Sequence, residues 1–435
     1  MNNSKFNIKN SKLFPRSEFS RHVLTLMTGT TIAQAIPIAI SPILTRIYTP
    51  EDFGAFAIYI AIASVLSILA TGKYELAIML PQKDEDAFAI MLFSIASSFA
   101  ISILSFLAIY LFHHQLINFF EKKEIVDWLY LIPLSIILSA LYQNLRYWSN
   151  RGKEYKVISK AIILQSSTNG AGNVLFGLMG FSFVGMIVSN MLSSMFSVLY
   201  FLFKNIKYTS RYKKAIDFRQ IIAIAKQYKQ FPLQTLPQNF LYQAYLQIPI
   251  IAIKALFSLA TLGFFTLAYR VIATPLSILS NSLGEVFYQK ASLMYINDKK
   301  SLQVYIKSLF TKLLGASLFI GGIIVWFLPE LFSFIFGNNW IEAGKIGQYL
   351  MIYLIFDFAL TPFTRIYLIA NRNILYLKWE IVRFISVVLL CLIFYWAGLF
   401  DSSLFFIAFA LLNLLLYIVL AIPILNKKSF IWREI

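Results

Sequence analysis

Charged side chains are scarce in this sequence. Only 13% of its 435 residues are Asp, Glu, Lys or Arg, against about 25% in a soluble domain. Hydrophobic residues make up 59% and the mean hydropathy is +0.70. A soluble fold is excluded, because hundreds of apolar residues would have too little polar surface around them. Cysteine is nearly absent. The single Cys391 lies in an apolar run, supports no disulfide framework, zinc site or cluster, and reads as a small packing residue. Three histidines, with His113 and His114 adjacent, give no metal-ligand set. The phosphate cradle G-x-x-x-x-G-K-[ST] is missing, since Gly152-Lys153 has Tyr147 where the first glycine should stand. That excludes ATP hydrolysis by this motif. H-E-x-x-H and G-x-S-x-G are absent too, and no large outer loop is expected. An enzyme, a cofactor and a metal are therefore not expected.

Long apolar runs are abundant. Ala87–Phe112 and Phe405–Leu425 carry no charge, and each is long enough to cross the roughly 30 Å of hydrocarbon in a bilayer. Barrel strands are short and alternate, so a β-barrel does not fit. The pattern predicts an all-α polytopic membrane protein with twelve transmembrane helices, near residues 22–46, 53–72, 87–112, 127–148, 157–179, 181–203, 231–253, 260–283, 305–328, 346–369, 375–398 and 402–425. Basic residues alternate with these spans. Lys5, Lys9, Lys12, Arg16 and Arg21 precede the first, eight Lys and Arg lie between Lys204 and Lys229, and Lys427, Lys428 and Arg433 follow the last. The other side of the membrane would hold only Arg46, Lys122, Lys123, Lys254 and Lys345. The positive-inside rule then puts both termini in the cytoplasm. The net charge of +18 reflects topology and anionic lipid rather than nucleic acid. The polar first twenty residues carry no cleavable signal.

Two phrases recur. YIAIASVLSIL (59–69) and YRVIATPLSIL (269–279) share Y-x-x-I-A-[ST]-x-L-S-I-L, while NRGKEY (150–155) and NRNILY (371–376) share N-R-x-x-x-Y. Each match pairs span n with span n+6. The expected organisation is therefore a six-helix lobe over 1–203, a basic cytoplasmic linker over 204–230 and a second lobe over 231–435. The lobes would be related by a parallel pseudo-two-fold along the membrane normal, with a central cavity between them.

Ionisable residues at membrane depth are costly and usually face a cavity or a partner. Arg270, well inside span eight, is the clearest case, with Asp357 at similar depth in span ten. The two either form a structural ion pair, or Arg270 meets an anionic substrate in a polar cavity. Arg46, Arg146, Arg365 and Lys254 lie nearer span ends, where snorkelling is an equal reading. For Lys160, Lys312, Glu380 and Arg383 snorkelling is the expectation. Spans one and seven are unusually rich in proline, hydroxyls and amides. Thr30, Gln34 and Ser41 in the first, and Gln234 and Gln238 in the second, either line a wet path or hold helices together.

Residues 42–56 (PILTRIYTPEDFGAF) and 72–87 (GKYELAIMLPQKDEDA) resemble two consecutive phrases of bacterial O-antigen/polysaccharide flippases, within the multidrug/oligosaccharidyl-lipid/polysaccharide exporter superfamily. The resemblance implies an inner-membrane protein. It would move an undecaprenyl-pyrophosphate-linked oligosaccharide from the cytoplasmic to the outer leaflet by alternating access, with a polysaccharide polymerase and a chain-length regulator as candidate partners; a monomer is expected because one chain holds both lobes. It also implies a cationic cavity, for which Arg270 and then Arg46 are the candidates. An ion-coupled multidrug or cation antiporter of the same superfamily is the alternative, and Asp357 is the carboxylate placed to serve it.

Overall fold

The computed structural model describes residues 16–120, 123–212, 217–426 and 429, with side chains from residue 25 onward except 206–212. The expected charges on Lys5, Lys9, Lys12, Lys122, Lys213, Lys214, Lys427, Lys428 and Arg433 lie outside the described residues.

Among the described residues are twelve helices of twenty residues or more: α1 (Arg16–Ile47), α2 (Pro50–Ala70), α3 (Asp84–Leu111), α4 (Ile132–Arg151), α5 (Tyr155–Leu178), α6 (Phe183–Tyr212), α7 (Leu236–Leu256), α8 (Leu259–Asn297), α9 (Lys299–Phe336), α10 (Ile341–Leu360), α11 (Asn373–Trp396) and α12 (Ser402–Leu425). There is no strand among the described residues. Eight of these helices are long and apolar enough to cross a membrane unaided, and a ninth span results if Lys123–Leu129 and α4, bent by 41°, are joined. The helices that fall short are α5, α7 and α11, whose polar residues lower their hydropathy. Such residues are tolerated where a helix faces protein or a wet cavity instead of lipid. Large apolar side chains such as Phe319, Trp326, Phe334 and Trp396 point outward, exposed, as befits a surface solvated by lipid tails.

The helix starts are written locally. Thr49 caps α2: its hydroxyl accepts from the Asp52 amide (3.3 Å), while the Asp52 carboxylate accepts from the Thr49 amide (2.9 Å). Pro50 follows at the first helical position, where its missing N–H is harmless. Ser258 caps α8 through the Thr261 amide (3.1 Å). Asp298 caps α9 and Asp401 caps α12 in the same manner.

The first six helices and the last six follow one plan. Pro50 and Leu259, which open α2 and α8, are 209 positions apart, and so are Ile47 and Leu256, which close α1 and α7. Helices α4 and α10 keep that spacing at both ends. After an insertion, α5 and α11 are equally long and 218 apart. The left-handed residues just before them, Lys153 and Asn371, keep the same spacing. The packing repeats as well: α1 with α5, α2 with α3 and α4, α3 with α4, α4 with α6, and α5 with α6 each recur six helices later.

The two sequence phrases occupy equivalent places in this plan but not equivalent residues. The 59–69 and 269–279 match is 210 apart, one residue out of the helix register, which is about 100° of rotation. The N-R-x-x-x-Y match is 221 apart, three residues out. The stretch expected to link the halves, 204–230, contains helix on both sides of its undescribed residues. Helix α6 continues to Tyr212, and a short helix, Phe218–Gln227, follows. That helix buries Ile224 and Ala225 against Tyr74, Phe88 and Trp148 of the first six helices, and Tyr74 donates its hydroxyl hydrogen bond to the Ala225 carbonyl (3.1 Å).

Across the halves, α2 lies along α8 and α7. A Cβ on Gly54 would strike the Leu259 carbonyl, and one on Gly263 would strike the Pro50 carbonyl. Gly54 and Gly263 are themselves 209 apart, so the contact is reciprocal. The lack of a side chain lets the two helix starts meet backbone to backbone. Trp340 seals the same end. Its indole N–H donates to the Thr45 carbonyl (3.0 Å), and its ring meets Phe53 and Phe264 edge-on at 5.0 and 5.8 Å. The bundle is thus closed where α1 and α7 finish and α2 and α8 begin.

Candidate substrate cavities

Beneath that closure is a cavity of about 510 Å³, walled by α2, α7 and α8 with Tyr353 of α10 and Phe409 of α12. Arg270 of α8 opens onto it. Its guanidinium sits 5.9 Å from the centre of the Phe53 ring and has no ion pair or hydrogen bond among the described residues. Tyr242, Tyr245, Tyr269, Gln247 and Asn281 share the wall, and no Asp or Glu does. The ion pair between Arg270 and Asp357, open on sequence grounds, does not form. Asp357 accepts instead from the Thr361 hydroxyl (2.6 Å).

Arg383 corrects the snorkelling expectation. It lies in the middle of α11, is only 8% exposed, and donates to the Tyr417 hydroxyl (3.0 Å). Its guanidinium stacks 3.8 Å over the Tyr245 ring and 5.1 Å from Trp379. Glu380, equally buried, is 4.0 Å away. Tyr245 in turn donates to Asn413 of α12 (2.8 Å). This arginine ties α7, α11 and α12 together through the Tyr417 bond and the ring contacts, although its Nε has no hydrogen-bond partner.

A second cavity of about 340 Å³ lies among α2, α4, α5 and α6, with Gln243 of α7 at its edge. Hydroxyls and amides line it, and Tyr142 is its one titratable residue. Gln165 donates to the Ser194 hydroxyl (3.2 Å), Gln143 to Ser139 (3.4 Å) and Gln243 to Ser64 (3.1 Å). Ile60 of α2 belongs to the walls of both cavities, so the two adjoin.

The remaining predicted residues are dispersed. Thr30 and Gln34 line a smaller cavity of about 230 Å³ between α1 and α8, beside Asn281 and Glu285. Arg365 pairs with Glu285 at 2.8 Å. Arg46 is exposed and donates to the Pro42 carbonyl of its own helix (3.0 Å). Arg146 is exposed on α4 and lines none of these cavities. Ser41 is fully buried, its hydroxyl spent on the Pro37 carbonyl (2.6 Å). Gln234, in the turn Phe231–Thr235 before α7, and Gln238, at the start of α7, are exposed and line none of these cavities. Sequence reasoning missed the neutral cavity altogether. Its one available signal is the polar run QSSTNG (165–170) in an otherwise apolar span.

Known structures share this arrangement of helices. An inward-facing multidrug resistance MATE family transporter of the MOP superfamily superposes with a TM-score of 0.67 at 16% identity, over 93% of this chain and 96% of that one. The lipid II flippase MurJ, in an inward closed conformation, gives 0.62 at 15% identity, over 92% and 98%. The outward-facing form of a MATE transporter gives 0.55 at 16% identity, over 93% and 94%. The chain shares the fold of these structures. More particularly, residues 43–345 match the family described as polysaccharide biosynthesis protein, and the chain belongs to that family. A curated relative is the succinoglycan biosynthesis transport protein ExoT of Rhizobium meliloti (strain 1021), 23% identical over 313 residues, which are 70% of this chain and 60% of the relative. The chain therefore spans about three fifths of that relative's length. By their descriptions this relative and these structural neighbours are transporters or a flippase, not enzymes.

Proposed function

We propose that this protein flips a polyprenyl-pyrophosphate-linked oligosaccharide from the cytoplasmic to the outer leaflet of the bacterial inner membrane. It does so by alternating access between two six-helix lobes, with twelve spans and both termini in the cytoplasm. The observation that carries the reading is Arg270, an unpaired guanidinium on a cavity at the meeting of the lobes. A pyrophosphate diester brings about two negative charges, and a cation at membrane depth with no internal partner is costly unless a ligand supplies the counter-charge. On this topology the closed end is the outer one, so the cavity awaits its lipid from the cytoplasmic side. The better superposition on an inward-facing neighbour than on an outward-facing one agrees with this. The lack of a carboxylate on the walls of either large cavity weighs against exchange of an organic cation for protons or sodium. Asp357 stands outside those walls as a candidate for ion coupling, and undecaprenyl is the expected lipid. A polymerase and a chain-length regulator are the expected partners of a monomer.

The test is to delete the gene and ask which leaflet holds the lipid-linked oligosaccharide, using a membrane-impermeant sugar-modifying probe on spheroplasts. Accumulation on the cytoplasmic side, reversed by the intact gene, is expected. An unchanged distribution, with other flippases removed, overturns the reading. An inside-negative potential favours outward passage by about 2.3 kcal/mol per charge per 100 mV. Flipping in vesicles should accordingly quicken when that potential is imposed.

A further inference from the structure

We infer that the neutral cavity among α2, α4, α5 and α6 is a carbohydrate seat, taking the uncharged sugars nearest the pyrophosphate while Arg270 holds the pyrophosphate next door. The inference rests on the proposed flipping of a lipid-linked oligosaccharide and specifies the chemistry of what is flipped.

The lining decides the ligand class. It contains no Asp, Glu, Lys, Arg or His, so it offers nothing to an ion. It contains too many polar groups for a lipid tail. What it offers is serine hydroxyls and carboxamides, groups that both donate and accept. Sugar hydroxyls do the same, which makes them the matching partner. Much of this capacity is uncommitted. Gln143, Gln165 and Gln243 each spend one N–H on a serine, and no hydrogen bond among the described residues engages their carbonyl oxygens. The side chains of Asn190 and Ser67 on the same wall have no hydrogen bond among the described residues. Polar side chains at membrane depth are normally spent on neighbouring helices. Here they converge from five helices on open space.

Geometry joins this seat to the cationic one. Ile60 is a common wall, and the Gln243–Ser64 bond, 3.1 Å long, links α7 to α2 at the boundary. One molecule with a charged end and a neutral end can therefore occupy both cavities. The register of the two halves sharpens the assignment. Gln165 of α5 stands at the position of Arg383 in α11, 218 residues on, and Asn190 of α6 at that of Phe409 in α12, counting from the starts of those helices. Where the second half carries a cation and an aromatic ring, the first half carries two amides.

The test uses the full-length protein in nanodiscs and three probes: undecaprenyl pyrophosphate, the same lipid bearing a disaccharide of neutral hexoses, and the same lipid bearing a disaccharide with a uronic acid. In the wild type, the neutral disaccharide should tighten binding about tenfold over the bare lipid, and the uronic acid should cancel that gain. Gln165→Leu should abolish the gain and leave the bare lipid's affinity unchanged. Asn190→Leu is a second variant, should the first melt early. Arg270→Ala should weaken all three probes alike. If the gain survives both leucine variants, or the uronic acid binds as well as the neutral sugar, the cavity holds only water and the inference falls. If the bare lipid does not bind the wild type, or binds Arg270→Ala equally well, the flipping reading itself fails, and the two failures are told apart.

Discussion

The two halves share a frame and differ in chemistry. In the helix register, Arg270 of α8 corresponds to Ala61 of α2, and Arg383 of α11 to Gln165 of α5. The cavity walled mainly by the first half is neutral and rich in hydroxyls and amides; the cavity where the halves meet is aromatic and holds the unpaired cation on α8. Repetition of helix lengths, packing and closing contacts builds a two-sided container. Divergence of a few inward-facing side chains then makes its sides unlike, as the proposed lipid-linked oligosaccharide would require. The comparison also separates two arginines that composition alone treats as equals. One is caged and structural, the other open to a cavity.

The largest expected effect tests that distinction. Arg270→Ala should lower flipping roughly 100-fold, in line with the loss of a desolvated charge partner. Its melting temperature in detergent should change little, because the guanidinium makes only a ring contact. Arg270→Lys keeps the charge and should recover part of the rate. Arg383→Met should do the reverse, losing about 3–5 kcal/mol of stability by leaving Glu380 buried without its partner. Flipping per folded molecule would be only secondarily affected. Melting curves beside a reconstituted flipping assay decide it. Equal loss of stability in both variants would erase the contrast.

Much of this was legible in the sequence, for identifiable reasons. The apolar runs mark helices because hydrocarbon demands them, and each of the twelve long helices overlaps a predicted span. Arg270 stood out in the sequence for its depth in span eight, and it lines a cavity. Arg383 did not: distance along its helix was taken for distance from water, whereas the rings of Tyr245, Trp379 and Tyr417 close over it. The neutral cavity was illegible because each helix contributes only a few of its hydroxyls and amides. On a single helix such residues look like packing contacts. Thr30, Gln34 and Ser41 show the converse, since three residues spaced along one face of α1 end in two different environments.

A smaller effect concerns the closure. Gly54→Ala and Gly263→Ala each drive a methyl group into a carbonyl of the opposite half. Overpacking of this kind costs about 1–3 kcal/mol, and here it can be relieved by separating the lobes. Both variants should therefore shift the population toward a state open at that end. Spin labels on cysteines at positions 49 and 258, in a Cys391→Ser background, would report the distance between them. Because the contact is reciprocal, the two glycines should act alike. A shift from one and not the other would show that the near-symmetry of this end has no energetic counterpart.

The smallest expected effect separates the halves at the same place. Thr49 and Ser258 are equivalent caps, but only Thr49 is part of a reciprocal pair with an acidic residue, Asp52, which also accepts from the Phe183 amide at the start of α6 (3.0 Å). Thr49→Ala therefore removes two bonds to Asp52 and loosens the hold of Asp52 on a neighbouring helix, whereas Ser258→Ala removes a cap that touches only its own helix. Loss of a cap costs about 1 kcal/mol, so Thr49→Ala should lower the melting temperature more than Ser258→Ala, and Asp52→Ala more than either. The order of the three is the informative quantity. If Ser258→Ala proves the most damaging, the start of α8 carries the closure and α2 merely leans on it. If the expected order holds, the first half is the rigid member, anchored to its own α6, and the second half moves against it.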